Sequence, residues 1–439
     1  MPKRYWMNNQ PVLANEISYR VRSALRFLTR LQPSVRMVSR SLNLSLVNHY
    51  LTQKQRLLPA SRHPDVVKVT RDIVAMHATD PTGPYLSLWA RVSGFNRRTL
   101  EEALYQERTL AKLLCMRVTL HAVPSDELPF FYRAFSQTFF ERRTPPEFQS
   151  ASLLVRAGLC DEEDAKALLE DLHRRILVLL AESGPLTVQQ MGQAVPELKA
   201  KIRHSVGRRY EGEFSIGSRL VLAMCAQGPL IRTRPRGTWR SNLYEYAALT
   251  DWLPEVDLDS VSPQEARTWL AGCYFSAFGP ATREDLQWWL GFSKGEAREA
   301  LQPLQSSSVE VGIQGLGDGY LMQAEDAQRL KDFGPPDVPY VYLLPGLDPY
   351  IMGYRDRERF LAPEHRSKIF DRAGNAVPTV WANGRIVGAW GQRKDGGVVY
   401  GLFEPVDEDE ATLLADEARR LEDFLGGEYL PPRYRTPFT

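Results

Sequence analysis

The feature that most constrains the fold is an order of elements that recurs three times along the chain. In the first round, helical spacing of apolar residues is followed by the alternating stretch KLLCMRVTLHAV. Thr79-Asp80-Pro81 ends the second helix, because proline disfavours a helical conformation in the residue before it. The pattern predicts helices over 43–58, 64–76 and 96–106, then a strand over 112–123.

Two further rounds follow the same order. The second predicts helices over 163–182 and 215–227 and a basic hairpin that turns at Arg236-Gly237, and the third predicts helices over 263–276, 282–290 and 293–304 and a hairpin over 309–322. Residues 338–403 are rich in strands, and a helix over 409–425 closes the chain. Helices followed by a hairpin are the order of a winged helix. We therefore expect an α+β chain of tandem winged-helix (helix-turn-helix) modules that ends in a small β-barrel or sheet.

A chain of 439 residues is too long for one ordinary core, so several modules are expected. The rounds place the domain boundaries as follows: 1–40, a basic N-terminal extension; 41–160, the first module; 161–250, the second module with a basic wing; 251–335, the third module; 336–439, the β-barrel and C-terminal helix.

Charge is divided unevenly between the two halves of the chain. Residues 1–248 carry 36 Lys/Arg against 22 Asp/Glu, whereas residues 249–439 carry 19 against 31. This asymmetry indicates that the N-terminal half faces a polyanion, although solvated surfaces of opposite charge would give the same count. Arg232, Arg234, Arg236 and Arg240 on the basic wing are the candidates for contact with DNA phosphates, since clustered arginines displace condensed counterions.

The first forty residues hold eight Lys/Arg and one acid, Glu16. An Arg-rich, Ser-containing, amphipathic segment of this kind is typical of an organellar transit peptide. A DNA-grasping basic arm and an extension upstream of a true start at Met37 remain open alternatives. The expected location is the cytoplasm with the nucleoid in a bacterium, or the mitochondrion or nucleus in a eukaryote.

Several classes of protein are excluded. Four scattered cysteines without a CxxC pair argue against a disulfide framework and a zinc site, and seven scattered histidines form no metal motif. We expect no metal and no cofactor. No stretch approaches the roughly 18 to 20 apolar residues of a membrane span, so no membrane partner is expected.

Five segments in register resemble the winged-helix DNA glycosylases of the AlkZ and YcaQ type, over most of residues 44–430. They are MHATDPTGPYLSLWARVSGF (76–95), LCMRVTLHAVPSDELPFF (114–131), FGPATREDLQWWLG (278–291), LLPGLDPYIMGYRDRERFL (343–361) and VWANGRIVGAWGQRKDGG (380–397). The resemblance implies a C-shaped arrangement of winged helices and a β-barrel around duplex DNA. It also implies hydrolysis of the N-glycosidic bond of N7-alkylated guanines, including bulky adducts and interstrand crosslinks. The repeat architecture, with no evident dimerisation helix, indicates a monomer.

The family carries Gln-x-Gln or Gln-x-Asp at the end of the second helix, where this sequence has His77-Ala78-Thr79. An N7-alkylated guanine is a cationic leaving group, so the protein must supply a positioned water and dipoles that tolerate positive charge. Neutral His77 could bind or deprotonate that water, Thr79 could hold it, and Asp80 could orient His77 or simply brace the turn before Pro81. Protonation of His77 would oppose the reaction, so activity should fall at acidic pH. No lysine stands at the motif, so no Schiff-base lyase step is expected.

The resemblance also places Arg117, Thr119 and His121, alternating on the predicted strand, near the DNA cleft. Arg355, Asp356 and Arg357 match a family signature, and a network that braces the barrel would account for them equally well. Trp288 and Trp289 are assigned to the core. Two other functions remain open: a winged-helix DNA-binding protein that has lost catalysis, and a transcription regulator.

Overall fold

The computed structural model describes residues 41–135, 140, 142–204 and 211–431. The basic extension, 1–40, lies outside the described residues, and its three interpretations stay predictions. The domain boundaries likewise stay predictions.

The described strands are β1 (Ser41–Leu42), β2 (Met76–His77), β3 (Leu110–Leu114), β4 (Leu120–Pro124), β5 (Leu186–Thr187), β6 (Lys201–His204), β7 (Gly212–Ser215), β8 (Leu230–Pro235), β9 (Tyr244–Ala248), β10 (Ser308–Ile313), β11 (Gly317–Gln323), β12 (Val341–Leu344), β13 (Thr379–Ala382), β14 (Arg385–Gln392) and β15 (Val398–Leu402). The described helices are α1 (Leu44–Lys54), α2 (Val66–Asp72), α3 (Gly83–Trp89), α4 (Arg97–Tyr105), α5 (Leu128–Ala134), α6 (Ser150–Arg156), α7 (Ala165–Ser183), α8 (Val188–Ala194), α9 (Ile216–Gln227), α10 (Leu249–Trp252), α11 (Pro263–Phe278), α12 (Arg283–Leu290), α13 (Lys294–Leu301), α14 (Ala324–Asp332), α15 (Pro349–Met352), α16 (Arg366–Ile369) and α17 (Glu408–Leu425).

The helices predicted in the second half of the chain are confirmed, because their starts are encoded locally. Ser262 caps α11 and Thr282 caps α12. In each case the hydroxyl of the capping residue accepts from the amide three residues on, and the carboxylate of that later residue accepts from the amide of the capping residue. Asp407 and Glu410 form the same reciprocal pair at the start of α17. Such capping boxes satisfy amides that the first turn of a helix leaves without partners.

An antiparallel sheet of six strands, in the order β2-β4-β3-β8-β9-β5, joins the first two rounds of the sequence. The two rounds meet where Lys112 on β3 pairs with Arg232 on β8. Residues directly paired across strands share a face of the sheet, and successive residues alternate between faces. His77 and His121, which pair with each other, therefore lie on the opposite face from Lys112 and Arg232.

The C-terminal strands form an open sheet in the order β12-β13-β14-β15, and within the described residues its two edge strands do not pair with each other. The expected small barrel is therefore not closed. Four strands of four to eight residues are too few to curl into a closed cylinder, and α17 packs against both edge strands instead. The other sheets are the β10–β11 hairpin, extended by β1, and the β6–β7 hairpin.

Two hydrophobic clusters stabilise the fold. The larger combines residues from 47–135 with residues from 231–425, so the first round, the third round and the C-terminal sheet share one core. The smaller cluster lies among α6, α7, α8 and α9 in the second round. No helix in the described ranges is long and apolar enough to cross a membrane.

The first round departs from the predicted elements in four places. Helix α1 ends at Lys54 rather than at residue 58. Helix α2 ends at Asp72 rather than at residue 76, and Val74 follows with a left-handed φ of 71°. The predicted strand over 112–123 is instead two strands, β3 and β4, joined by a tight turn. Helix α3 was not predicted. Pro84 lies in its first turn, where the helix tolerates proline because amides of the first turn have no partner within the helix.

Candidate functional site

His77 lies on the short strand β2 and not at the end of a helix. Directly opposite it on β4 is His121, and the two imidazole rings meet edge to face with centroids 5.1 Å apart. The amide of Ala78 donates to the carbonyl oxygen of Leu120 at 2.8 Å, which holds the motif against β4. The expected helix C-terminus is thus wrong: the chain reverses at Val74 and leaves His77 in a sheet.

His121 is held in its neutral form. It is buried, and burial followed by the charges of His77 and Arg117 lowers its pKa well below the usual histidine range, although a backbone bond to Thr119 acts in the opposite direction. Its Nδ1 lies 3.1 Å from the carbonyl oxygen of Thr119. Because a carbonyl can only accept, Nδ1 carries the proton and Nε2 is left as the acceptor nitrogen.

Asp80 has the turn-bracing contacts that were the alternative to a catalytic role. Its Oδ1 accepts from the amide of Thr82 at 2.9 Å and from the Thr82 hydroxyl at 2.7 Å. Its carbonyl oxygen accepts from the amide of Gly83, which begins α3. Thr79 lies half-buried between His77 and this turn.

One narrow cavity brings His77 together with His121 and Arg117. Its walls also include Trp289 on α12 and Leu347, which precedes α15. The residues that line it are Ala75, His77, Met116, Arg117, His121, Trp289, Leu347, Pro349 and Met352. Asp80 lines a different cavity with Thr82, Gly83 and Trp390, so Asp80 and His77 do not open into the same space.

Arg117 and Thr119 do not alternate on a strand with His121. Arg117 and Val118 have left-handed φ values of 53° and 59° and form the turn between β3 and β4. The Thr119 hydroxyl closes this turn by donating to the carbonyl oxygen of Met116 at 2.8 Å. The three side chains therefore do not share one face of a strand. His121 lies in the sheet, Arg117 lies in the turn, and Thr119 stabilises that turn.

The wing arginines lie elsewhere and already have partners within the chain. Arg234 forms an ion pair with Glu101, Arg236 with Glu245 and Arg240 with Glu428. Arg232 packs on the rings of Tyr244 and Tyr246. Arg232 is on β8, which lies three strands from β2, or about 14 Å at the usual strand spacing. Its side chain is on the opposite face of the sheet from that of His77.

Arg355 and Asp356 brace the structure through their backbone. Both amides donate to Oδ1 of the buried Asp285, at 2.8 and 3.2 Å, which ties this loop to the start of α12. Arg357 instead turns its side chain toward Trp288 and Phe370. The expected arginine–aspartate network is therefore organised by Asp285.

Trp288 lies beside the site, although the sequence predicts it in the core. The guanidinium carbon of Arg117 lies 4.2 Å from the Trp288 ring centroid, and that of Arg357 lies 4.9 Å from it. Two positively charged side chains thus share one indole at the edge of the cavity. The pair of adjacent tryptophans is the sequence signal for this position. The core assignment of Trp288 holds in part, because the ring is partly buried and packs against the larger hydrophobic cluster.

In this arrangement an imidazole in its neutral form could position a water molecule, and Arg117 could bind an anion. A neutral imidazole can accept a hydrogen bond or a proton from water. Within the described ranges no group of three or more metal-binding side chains comes together.

The comparison with known families identifies the class of protein as the AlkZ-like DNA glycosylases. The family model for AlkZ-like DNA glycosylases matches residues 70–424, most of the chain, and the protein belongs to that family. The predicted family membership is confirmed.

Relatives from one organism support this assignment. An interstrand DNA cross-link repair glycosylase of Streptomyces sahachiroi is 31% identical over 175 residues, which are 39% of this chain and 46% of that relative. The match thus spans less than half of the curated relative. The solved structure of Streptomyces sahachiroi DNA glycosylase AlkZ is similar with a TM-score of 0.68 at 22% identity, over 89% of this chain and 99% of the other. The mixed α+β fold is that of AlkZ.

Proposed function

We propose that this protein is a monofunctional DNA glycosylase that acts as a monomer on double-stranded DNA. It hydrolyses the N-glycosidic bond of N7-alkylated guanines, with bulky adducts and interstrand crosslinks in the same substrate class, and uses water as the nucleophile. The observation that carries the proposal is the family match over 70–424, which includes the motif at His77. The name of the Streptomyces relative supports crosslink repair. In this proposal the three rounds are winged helices that form a C-shaped surface around the duplex.

Cleavage of this N-glycosidic bond requires neutral hydrogen-bond acceptors rather than a strong acid. The alkylated base leaves as a neutral group, and the sugar becomes positively charged as the bond breaks. His77 holds the attacking water and accepts its proton, and Thr79 orients the water through its hydroxyl. His121 stays neutral beside His77, since its pKa is lowered well below the usual range. Asp80 positions the motif by bracing the turn at Thr82.

The test is base release from a duplex that carries 7-methylguanine. We expect wild-type release to drop at least tenfold in His77→Ala, while His173→Ala on α7, in the other hydrophobic cluster, keeps the wild-type rate. Release by the wild type should also fall at acidic pH, because protonated His77 cannot accept the proton of water. His77→Gln restores the glutamine of the family motif and should remove this fall.

Each outcome separates two functions. Release that is equal in wild type and His77→Ala would assign the chemistry to another group in the cleft. Salt-sensitive duplex binding without release, from 7-methylguanine and from a crosslinked duplex alike, would favour a DNA-binding protein that has lost catalysis, which the His-x-Thr replacement also fits. Sequence-specific binding to one operator would favour a transcription regulator.

A further inference from the structure

Two arginines far apart in sequence converge on one tryptophan beside the candidate active site. Arg117 comes from the turn after β3, and Arg357 comes from the loop after α15. Both guanidinium groups pack on Trp288, and Arg357 also lies 3.9 Å from the ring centroid of Phe370. Aromatic rings hold the flat faces of these groups and leave the N–H edges to bind something else.

Neither arginine has an acidic partner at ion-pair distance in the part of the chain that the structure describes. Arg357 is only 2% exposed. Its pKa is lowered to about 9, first by burial and then by the positive charges of Arg366 and Arg117, with Asp285 acting against them. The oxygens of Asp285 are already occupied by three backbone amides, so this carboxylate is committed to the loop and to α12.

The donors of the two arginines are incompletely used. The Nε atoms of Arg117 and Arg357 are buried without a hydrogen-bond partner among the described residues, and one terminal nitrogen of Arg357 donates to the carbonyl oxygen of Gly374 at 3.3 Å. A buried N–H without an acceptor is costly, and two like charges placed together add to that cost. An anion between them would relieve both.

We propose that Arg117 and Arg357, oriented by Trp288, bind one phosphate group of the DNA strand next to the base held at His77. The inference rests on the proposed function, since DNA is what supplies the phosphate. A phosphodiester is a monoanion whose oxygens accept from two guanidinium forks, the geometry that arginine recognises best. Arg117 lines the same cavity as His77, which places this candidate phosphate site next to the motif.

The first test measures binding of an undamaged duplex by fluorescence anisotropy at several salt concentrations. Arg117→Gln and Arg357→Gln should each weaken binding about tenfold and lower the slope of log K against log salt by about 0.9, the value for one phosphate. The double variant should lose the same 0.9 and no more, because both side chains serve one phosphate. Arg419→Gln, an exposed arginine on the acidic α17, is the matched control and should leave the slope unchanged.

The second test needs no substitution of the buried Arg357. A neutral methylphosphonate replaces each phosphate in turn around a single 7-methylguanine. One position should weaken wild-type binding about tenfold and leave Arg117→Gln unaffected, which identifies the shared contact. If every position weakens both proteins equally, or if the slopes match wild type, the pair is structural and the proposal is overturned.

Failure of this inference and failure of the proposed function give different results. If the arginine variants keep the wild-type salt slope and the wild type releases the base, the phosphate site alone is refuted. If the variants have a smaller salt slope but the wild type releases no base, the phosphate site is supported and the glycosylase activity is refuted.

Discussion

Replacement of the buried Lys112 by methionine should stabilise the protein at neutral pH. Lys112 lies in the middle of the six-stranded sheet and is 4% exposed. Its Nζ donates to the Tyr105 hydroxyl at 2.8 Å and lies 4.8 Å from the Tyr244 ring centroid. Burial, and then the charge of Arg232, lowers the pKa of Lys112 from 10.5 to about 7, against a smaller opposing effect of Glu101.

The sign of the effect follows from proton binding in the two states. Between pH 7 and 10.5 the unfolded chain holds a proton on Lys112 that the folded chain releases, so the free energy of unfolding rises with pH in that window. One pKa unit corresponds to about 1.36 kcal/mol. Burial of Lys112 therefore lowers the free energy of unfolding by about 4 kcal/mol at pH 7 and by about 2 kcal/mol at pH 9. Methionine gives up a hydrogen bond and a cation–π contact worth about 2 kcal/mol together. Lys112→Met should thus gain about 2 kcal/mol at pH 7 and about 1 kcal/mol at pH 9, where the neutral amine of the folded protein no longer makes the cation–π contact.

Equilibrium unfolding in urea at pH 7 and pH 9 measures this difference. Lys166→Met, at an exposed position on α7, is the control and should show the wild-type dependence on pH. If Lys112→Met is less stable than wild type at pH 7, or keeps the same rise toward pH 9, then Lys112 is charged and well accommodated in the folded protein. Either result would refute the reasoning.

Two more predictions concern the framework of the site. The Arg91–Asp348 ion pair is fully buried at 2.7 Å, so Asp348→Ala should cost about 3–5 kcal/mol of unfolding free energy in the same urea titration, and a loss below 1 kcal/mol would contradict a buried charge. A methyl group at Gly83 would meet the His77 carbonyl oxygen at 2.8 Å, so Gly83→Ala should reduce base release about tenfold while duplex binding is kept. Gly272→Ala, whose methyl group has only one neighbour at 3.9 Å, is the control, and equal release by both variants would show that the peptide at His77 needs no exact placement.

The sequence predicted best where structure is encoded within one turn of chain. The capping boxes at Ser262, Thr282 and Asp407 are local, and so the helices that follow them were predicted almost to the residue. Helix α3 was missed because Pro81 and Pro84 flank or enter it and are read as a break. The wing hairpin was predicted with its turn, but two of the carboxylates that pair with its arginines, Glu101 and Glu428, come from distant parts of the chain.

The site could be predicted only in part, because its geometry comes from contacts between distant segments. A strand of two residues has no signal of its own, and β2 exists through its pairing with β4. The turn at Arg117 and Val118 uses left-handed residues without glycine or asparagine, so no turn motif marks it. Family resemblance located His77, whereas the place of Trp288 between two arginines required the folded chain.

The two proposals together account for how a site with so much positive charge could serve this reaction. Bond cleavage makes the sugar positive, and Arg117 beside the cavity would oppose that charge if its own charge were unbalanced. A phosphate monoanion bound by Arg117 and Arg357 offsets part of this positive charge, so the negative charge at the reacting nucleotide comes from the DNA strand and not from a protein carboxylate. Asp80 is committed to its turn and Asp285 to its loop, and burial lowers the pKa of His121 well below the usual histidine range, which keeps a neutral group beside His77. On this reasoning, catalysis and binding of the flanking phosphate are coupled, and the site is suited to the reaction only when DNA occupies it.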